Sequence, residues 1–151
     1  MEIRRCTPSE AKSLTEIAHR SKAHWGYTDH DLRRWRDDLT LDPEWIRSHD
    51  VHGVYESGRV TGFYALMLGD TRCELEHFWV DPSRIGYGVG RRLFEHAVMQ
   101  ARTMGAVAID ISSDPHAEGF YLRMGAERVG AVPAPVDDQP ARILPRMTFV
   151  L

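Results

Sequence analysis

Cysteine is scarce in this chain, with only Cys6 and Cys73 among 151 residues. The two share no metal-ligand or redox spacing, which excludes a disulfide scaffold, a zinc ribbon and a dithiol centre. Both are read as reduced, structural thiols. No apolar run approaches the roughly 20 residues of a membrane span. The opening MEIRRCTPSE has no signal-peptide core, so a cytoplasmic protein without membrane attachment is expected. Charge of neither sign dominates: 19 Lys and Arg face 22 Asp and Glu, a net charge of -3. That balance speaks against a general affinity for nucleic acid. Repeats, linkers and low-complexity tails are also missing. What remains is 42% hydrophobic and 27% charged, ordinary for one globular domain over residues 1–151 with a substantial core.

The periodicity divides the chain into elements. Residues 3–5 predict a short strand. Thr7, Ser9 and Glu10 mark a helix start, and residues 11–22 follow at helical spacing through Leu14, Ile17 and Ala18. SKAHWGY, residues 21–27, interrupts that helix. Asp29 can cap a second one reaching Leu39, and DPEW at 42–45 opens a brief third. The period then changes to two. Residues 51–56 and 60–68 form a hairpin about Ser57-Gly58-Arg59, and 73–80 is the next strand. A long helix is expected over 88–104 and a buried strand over 106–111. A shorter helix over 116–124 ends at Gly125. Strands at 126–132 and 143–150 flank a proline-rich loop, 133–140. This order predicts an α+β sandwich built on one sheet.

The most informative stretch is FWVDPSRIGYGVGRRLFEHA, beginning at Phe78. A strand end passes through Gly86, Gly88 and Gly90 into the long helix. Glycine permits positive φ and close approach of backbone to a ligand. A helix start adds unpaired N–H groups and a positive dipole end. Together they predict an anion site, most naturally for phosphate. A Walker A loop is excluded, because Arg91 and Arg92 follow Gly90 where Lys and Ser/Thr are needed. A dinucleotide fingerprint is disfavoured: the spacing is G-x-G-x-G, and three antiparallel strands precede it, although Asp110 does stand at the end of the following strand. A tight turn without any ligand is a further alternative, set against the entropy cost of three alternating glycines.

VDPSRIGYGVGRRLFEHA resembles the signature turn of the GCN5-related N-acetyltransferases (GNAT), whose pattern is Gln/Arg-x-x-Gly-x-Gly/Ala. Gly88 and Gly90 occupy its two small positions, and Ile85 departs from it where Gln or Arg is usual. FYLRMGA, residues 120–126, resembles the family's FY-x-x-x-G-F. The resemblance covers nearly the whole chain. It implies the acyl-CoA N-acyltransferase fold: a single mixed, mostly antiparallel sheet, splayed between its fourth and fifth strands, with helices on both faces. It implies acetyl-CoA as donor, no metal, and an amine acceptor on a small molecule or peptide attacked directly in a ternary complex. A non-catalytic acyl-CoA sensor on the same fold is the alternative.

The resemblance also assigns residues. Cofactor binding falls to Phe78, Trp79 and Val80 by main chain, to the turn Ile85, Gly86, Tyr87, Gly88, Val89, Gly90 and Arg91, and to His116 and Tyr121. Arg84, Arg91 or Arg92 would supply the charge that Ile85 does not. The Phe78 N–H would polarise the thioester carbonyl. Tyr121 would lie beside the sulfur as general acid, or pack on pantetheine. Glu74 and Glu76, two apart on a strand, are expected on one face as candidate bases, with His77 on the other. Glu74 matches the base of the family's histone acetyltransferases. Cys73 lacks a partner that would make it an acyl-carrying nucleophile. On the acceptor side, His24, Trp25 and Tyr27 either wall the pocket or fill a helix–helix corner. Residues 144–147 resemble a last-strand segment that supports dimers in relatives, so a homodimer is compatible with the reading.

Overall fold

The computed structural model describes residues 1–151. Its elements follow the periodicity of the sequence closely. β1 is Glu2–Arg5. α1 (Ala11–Ala23) turns Leu14, Ile17, Ala18 and Ser21 inward at helical spacing. α2 (Asp29–Arg34) starts at Thr28, whose hydroxyl accepts from Asp31 N at 3.1 Å. It ends five residues before the expected Leu39, because Arg33, Arg34, Arg36, Asp37 and Asp38 offer no continuous apolar stripe. α3 is Pro43–Ser48. β2 (Asp50–Glu56), β3 (Arg59–Leu68) and β4 (Arg72–Val80) form an antiparallel meander. α4 (Val89–Thr103) buries Val89, Leu93, Phe94, Ala97, Val98 and Ala101. β5 (Ala108–Ser112), α5 (Glu118–Met124), β6 (Glu127–Pro133) and β7 (Ile143–Val150) complete the chain.

The seven strands form one sheet in the order β1-β2-β3-β4-β5-β7-β6. Every neighbouring pair is antiparallel except β4 and β5, which are parallel. Each face carries its own core. Seventeen buried residues, among them Tyr64, Leu66, Leu93, Phe94, Ile109 and Met147, join the sheet to α4 and α5. Eleven more, including Leu14, Ile17, Ile46, Val51 and Phe63, join the opposite face to α1 and α3. Both Cys6 and Cys73 are free thiols inside these cores. Removing a side chain such as Leu93, fully enclosed under α4, costs about 2–5 kcal/mol.

Candidate active site

The parallel pairing of β4 with β5 is short: Arg72, Cys73 and Glu74 face Ala108, Ile109 and Asp110, and it stops there. Arg72 clamps both Asp110 oxygens at 2.7 and 2.8 Å, and Thr148 Oγ1 adds a third bond at 2.7 Å. Beyond this pinned end the strands part. The rest of β4, up to Val80, keeps one backbone edge without a strand partner. A groove of about 550 Å³ opens there. Leu75–Val80 of β4, Ile111 and Ser112 of β5, α5, the glycine turn, Ser21 of α1 and Trp25 in the turn after it line it.

The glycines of the turn have different reasons. Gly86 and Gly88 adopt φ of +88° and +83°, where a side chain would be strained although space is open around both. Gly90 is required by packing, since a Cβ there would lie 3.1 Å from the Phe120 ring. Gly88 O receives Arg92 N at 3.2 Å and closes the first turn of α4. Upstream, the backbone N–H groups of Gly86, Tyr87, Gly88, Val89, Gly90 and Arg91 donate to no acceptor within the protein. Six consecutive open donors at the positive end of a fifteen-residue helix fit a diphosphate. Arg91 and Arg123 bring cations to the same wall. Arg84 lines the groove too, but two of its three guanidinium nitrogens, Nη2 and Nε, donate to Glu56 at 2.8 and 3.0 Å, and it stacks on Tyr87. Of the residues expected to hold the cofactor, the groove brings together Phe78, Trp79, Val80, Ile85, Gly86, Gly88, Gly90, Arg91, His116 and Tyr121. The side chain of Val89 lies in the core and that of Tyr87 faces outward, so these two can contribute only main chain.

Regular alternation along β4 breaks between Leu75 and His77. Ala65 pairs with His77 and Leu66 with Leu75, leaving Glu76 as the extra residue of a β-bulge. The bulge reverses the parity of β4. Cys73, Leu75, Phe78 and Val80 all pack toward α4, and His77 and Trp79 turn to the α1 face, opposite to the expectation for His77. Glu74 is held bidentately by Arg146 at 2.7 and 2.8 Å and does not line the groove, whereas Glu76 does. Partial burial, and then the charge of Glu74, raise the Glu76 pKa above the usual carboxylate range.

Tyr121 is 5% exposed, packed edge-on between Phe78, Phe94 and Phe120. Its hydroxyl has no hydrogen bond within the protein and reaches the groove. Burial, reinforced by Asp114, pushes its pKa above the ordinary tyrosine range. Cys73 meets Met104 Sδ at 4.0 Å, and burial raises its thiol pKa. That environment suits packing, not nucleophilic attack.

Toward α1 and α2 the structure reveals a buried charge network. Asp114, in the β5–α5 loop, accepts from Lys22 Nζ and Tyr27 Oη at 2.7 Å each. Arg142, from the β6–β7 loop, donates to Tyr27 Oη at 2.9 Å and approaches Asp114 at 3.4 Å. The other Asp114 oxygen accepts from the His116 backbone N and lies 2.8 Å from its Nδ1. Burial opposes ionisation of Asp114, but Lys22, with these bonds, outweighs it and holds the carboxylate far below its usual range. Trp25 stacks on His116 at 4.9 Å, with planes 7° apart. Tyr27 is therefore an inner strut, Trp25 an exposed groove wall, and His24 an edge-on neighbour of Trp25 outside the groove. Three loops from distant parts of the chain are thus tied across one end of the groove. Asp114, Arg142 and Arg123 were not singled out from the sequence. Their only local signal was Asp114 before Pro115, where it caps the short 3-10 turn Pro115–Ala117.

A separate group, His30, Asp31 and Asp137, has metal-ligand chemistry. There Asp31 is already engaged by Arg34 at 2.8 Å and by Asp137 N at 3.3 Å. No helix is long and apolar enough to cross a membrane.

The profile of the Acetyltransferase (GNAT) family matches residues 11–126. Solved structures share the fold along nearly the whole chain at low identity. The PaiA N-acetyltransferase of Thermoplasma acidophilum in complex with coenzyme A is 17% identical, with a TM-score of 0.79 over 99% of this chain and 98% of that one. The ribosomal-protein-S18-alanine N-acetyltransferase of Escherichia coli is 16% identical, with a TM-score of 0.75 over 99% and 92%. YncA of Salmonella typhimurium, a putative acetyltransferase with acetyl-CoA as its cofactor, is 21% identical, with a TM-score of 0.73 over 100% and 94%. No curated sequence matches this chain.

Proposed function

Because this chain belongs to the GNAT acetyltransferase family, we propose that it transfers acetyl from acetyl-CoA to a primary amine by direct attack in a ternary complex. The observation that carries this reading is the run of six open N–H groups at the mouth of the β4–β5 wedge. Coenzyme A complexes among proteins of the same fold support it. Acetyl-CoA, when bound, supplies an acetyl group activated as a thioester. The N–H groups of Gly86–Arg91 hold its diphosphate, with Arg91 and Arg123 beside them. The free edge of β4 receives the pantetheine amides as an added strand would. The N–H of Phe78 donates to the acyl oxygen where negative charge develops.

An alkylamine has a pKa near that of lysine, about 10.4, and must lose a proton before it attacks. Glu76 takes that proton, directly or through a water, and its raised pKa improves it as a base. Glu74 acts indirectly: neutralised by Arg146, it still raises Glu76. Tyr121 remains protonated at neutral pH and donates toward the departing sulfur. Trp25 walls the acceptor side.

Calorimetry with acetyl-CoA, coenzyme A and NAD, followed by thiol release across an amine panel, tests the reading. Saturable binding of the first two and acetylation of at least one amine are expected. Binding without turnover of any amine would make the chain an acyl-CoA sensor, and absence of coenzyme A binding would end the proposal.

A further inference from the structure

His77 makes one hydrogen bond in the protein, and its chemistry is informative. Trp79 Nε1 lies 3.0 Å from His77 Nδ1. An indole N–H can only donate, so Nδ1 must offer its lone pair. In the neutral ring the proton then resides on Nε2. Trp45 meets the ring edge-on at 5.4 Å, and Phe63 lies 6.0 Å away. This largely apolar setting pushes the His77 pKa down to about 4, so the ring is neutral under ordinary conditions. Nε2–H finds no acceptor in the protein, while His77 lines the same groove as its neighbour Glu76. The β-bulge at Glu76 brings this about, because it breaks the alternation that would otherwise separate the two residues.

We propose that His77 is a fixed hydrogen-bond donor that selects acceptors carrying an oxygen beside the amine, as in an α-amino amide or peptide N-terminus. The amine faces Glu76 and the neighbouring carbonyl oxygen accepts from His77 Nε2–H. In this arrangement His77 is not a base: its only free nitrogen already holds a proton. Trp79 is a positioning residue that holds the tautomer. The assignment rests on the acetyltransferase reading above.

Long-range 1H–15N correlation spectra of the labelled wild-type protein read the tautomer directly, with the His77 signals identified by their loss in His77→Gln. A protonated Nε2 and a bare Nδ1 are expected at pH 7, and Trp79→Phe should convert this to a mixture. Initial rates are then compared for matched amines with and without the oxygen, such as alaninamide against 2-aminobutane. The quantity read is the ratio of their kcat/KM values in each variant relative to wild type, which cancels the intrinsic basicity of the amines. His77→Phe should lower that ratio roughly tenfold, chiefly through KM, the loss expected when one hydrogen bond to the substrate is removed. His77→Gln, which retains a donor, should recover part of it. A proton on Nδ1, a cationic ring at pH 7, or an unchanged ratio in His77→Phe would overturn the role of His77. Acetyl-CoA titration of the wild type separates the two levels: no binding removes the transferase reading and this one with it, whereas binding and acetylation with an unchanged ratio remove only His77.

Discussion

Arg146 on β7 grips both carboxylate oxygens of Glu74 on β4, at 2.7 and 2.8 Å, and so gives different surroundings to two glutamates that look equivalent in sequence. Glu76, two residues along, faces the groove with a raised pKa. Glu76→Gln should lower kcat on the order of a hundredfold and abolish the acidic limb of the kcat/KM profile. Glu74→Gln removes the like charge and leaves Arg146 unpaired nearby, so the same limb should move to lower pH with activity retained. Identical profiles for the two variants would reject this division.

Tyr121→Phe keeps the aromatic packing with Phe78, Phe94 and Phe120 and removes only the hydroxyl. It should leave the acetyl-CoA dissociation constant within about threefold and reduce turnover tenfold or more. Wild-type turnover in the variant would reduce Tyr121 to a packing residue.

Alanine substitutions in the turn should separate conformation from packing. Gly88→Ala forces a side chain into φ near +83°, at a cost of about 1–2 kcal/mol, and displaces the open N–H groups. Coenzyme A affinity should fall. Gly90→Ala instead meets Phe120, so its main effect should be a lower unfolding midpoint. Calorimetry and urea unfolding on both variants check the contrast, and equal effects in both assays would contradict it.

Asp114 is the anion shared by Lys22 and Arg142, whose side chains are 12% and 4% exposed. Asp114→Asn leaves two buried cations facing each other without a counter-charge, and should destabilise the fold by about 3–5 kcal/mol. Ionised Asp114 stabilises the fold fully above the unfolded Asp range, near pH 4. That contribution is lost as pH falls toward its depressed folded pKa. A variant as stable as wild type at pH 7 would contradict the network.

Burial lowers His52, His77 and His96, the second to about 4. Near pH 5 an unfolded histidine, with pKa about 6.5, binds a proton that the folded one refuses. The unfolded state then holds more protons, so stability should rise with pH between about 4 and 6.5. His77 alone contributes at most about 3 kcal/mol to that rise. Urea midpoints at pH 5 and 7 should differ in this direction, and less so in His77→Phe. An equal difference in both proteins would show that His77 is not neutralised by the fold.

Much of this molecule is legible locally. Apart from the end of α2, the two periods of the apolar pattern mark the strands and helices to within a few residues, because burial of one face is what stabilises each element. Gly86 and Gly88 announce the turn before α4 for the same local reason: backbone freedom next to a helix start. Side-chain partnerships between distant segments are a different matter. The bulge at Glu76 depends on how β3 pairs with β4, and it alone moves His77 and Trp79 to the α1 face. Arg146 reaches Glu74 across 72 positions, and Lys22 reaches Asp114 across 92. The sequence by itself determined the order of the elements and the glycine turn before the long helix, since both follow from hydrophobic spacing and φ preference. Only the tertiary structure decided which glutamate is free, which histidine is neutral and which charges are buried together, since pKa and pairing depend on distances that no local pattern encodes.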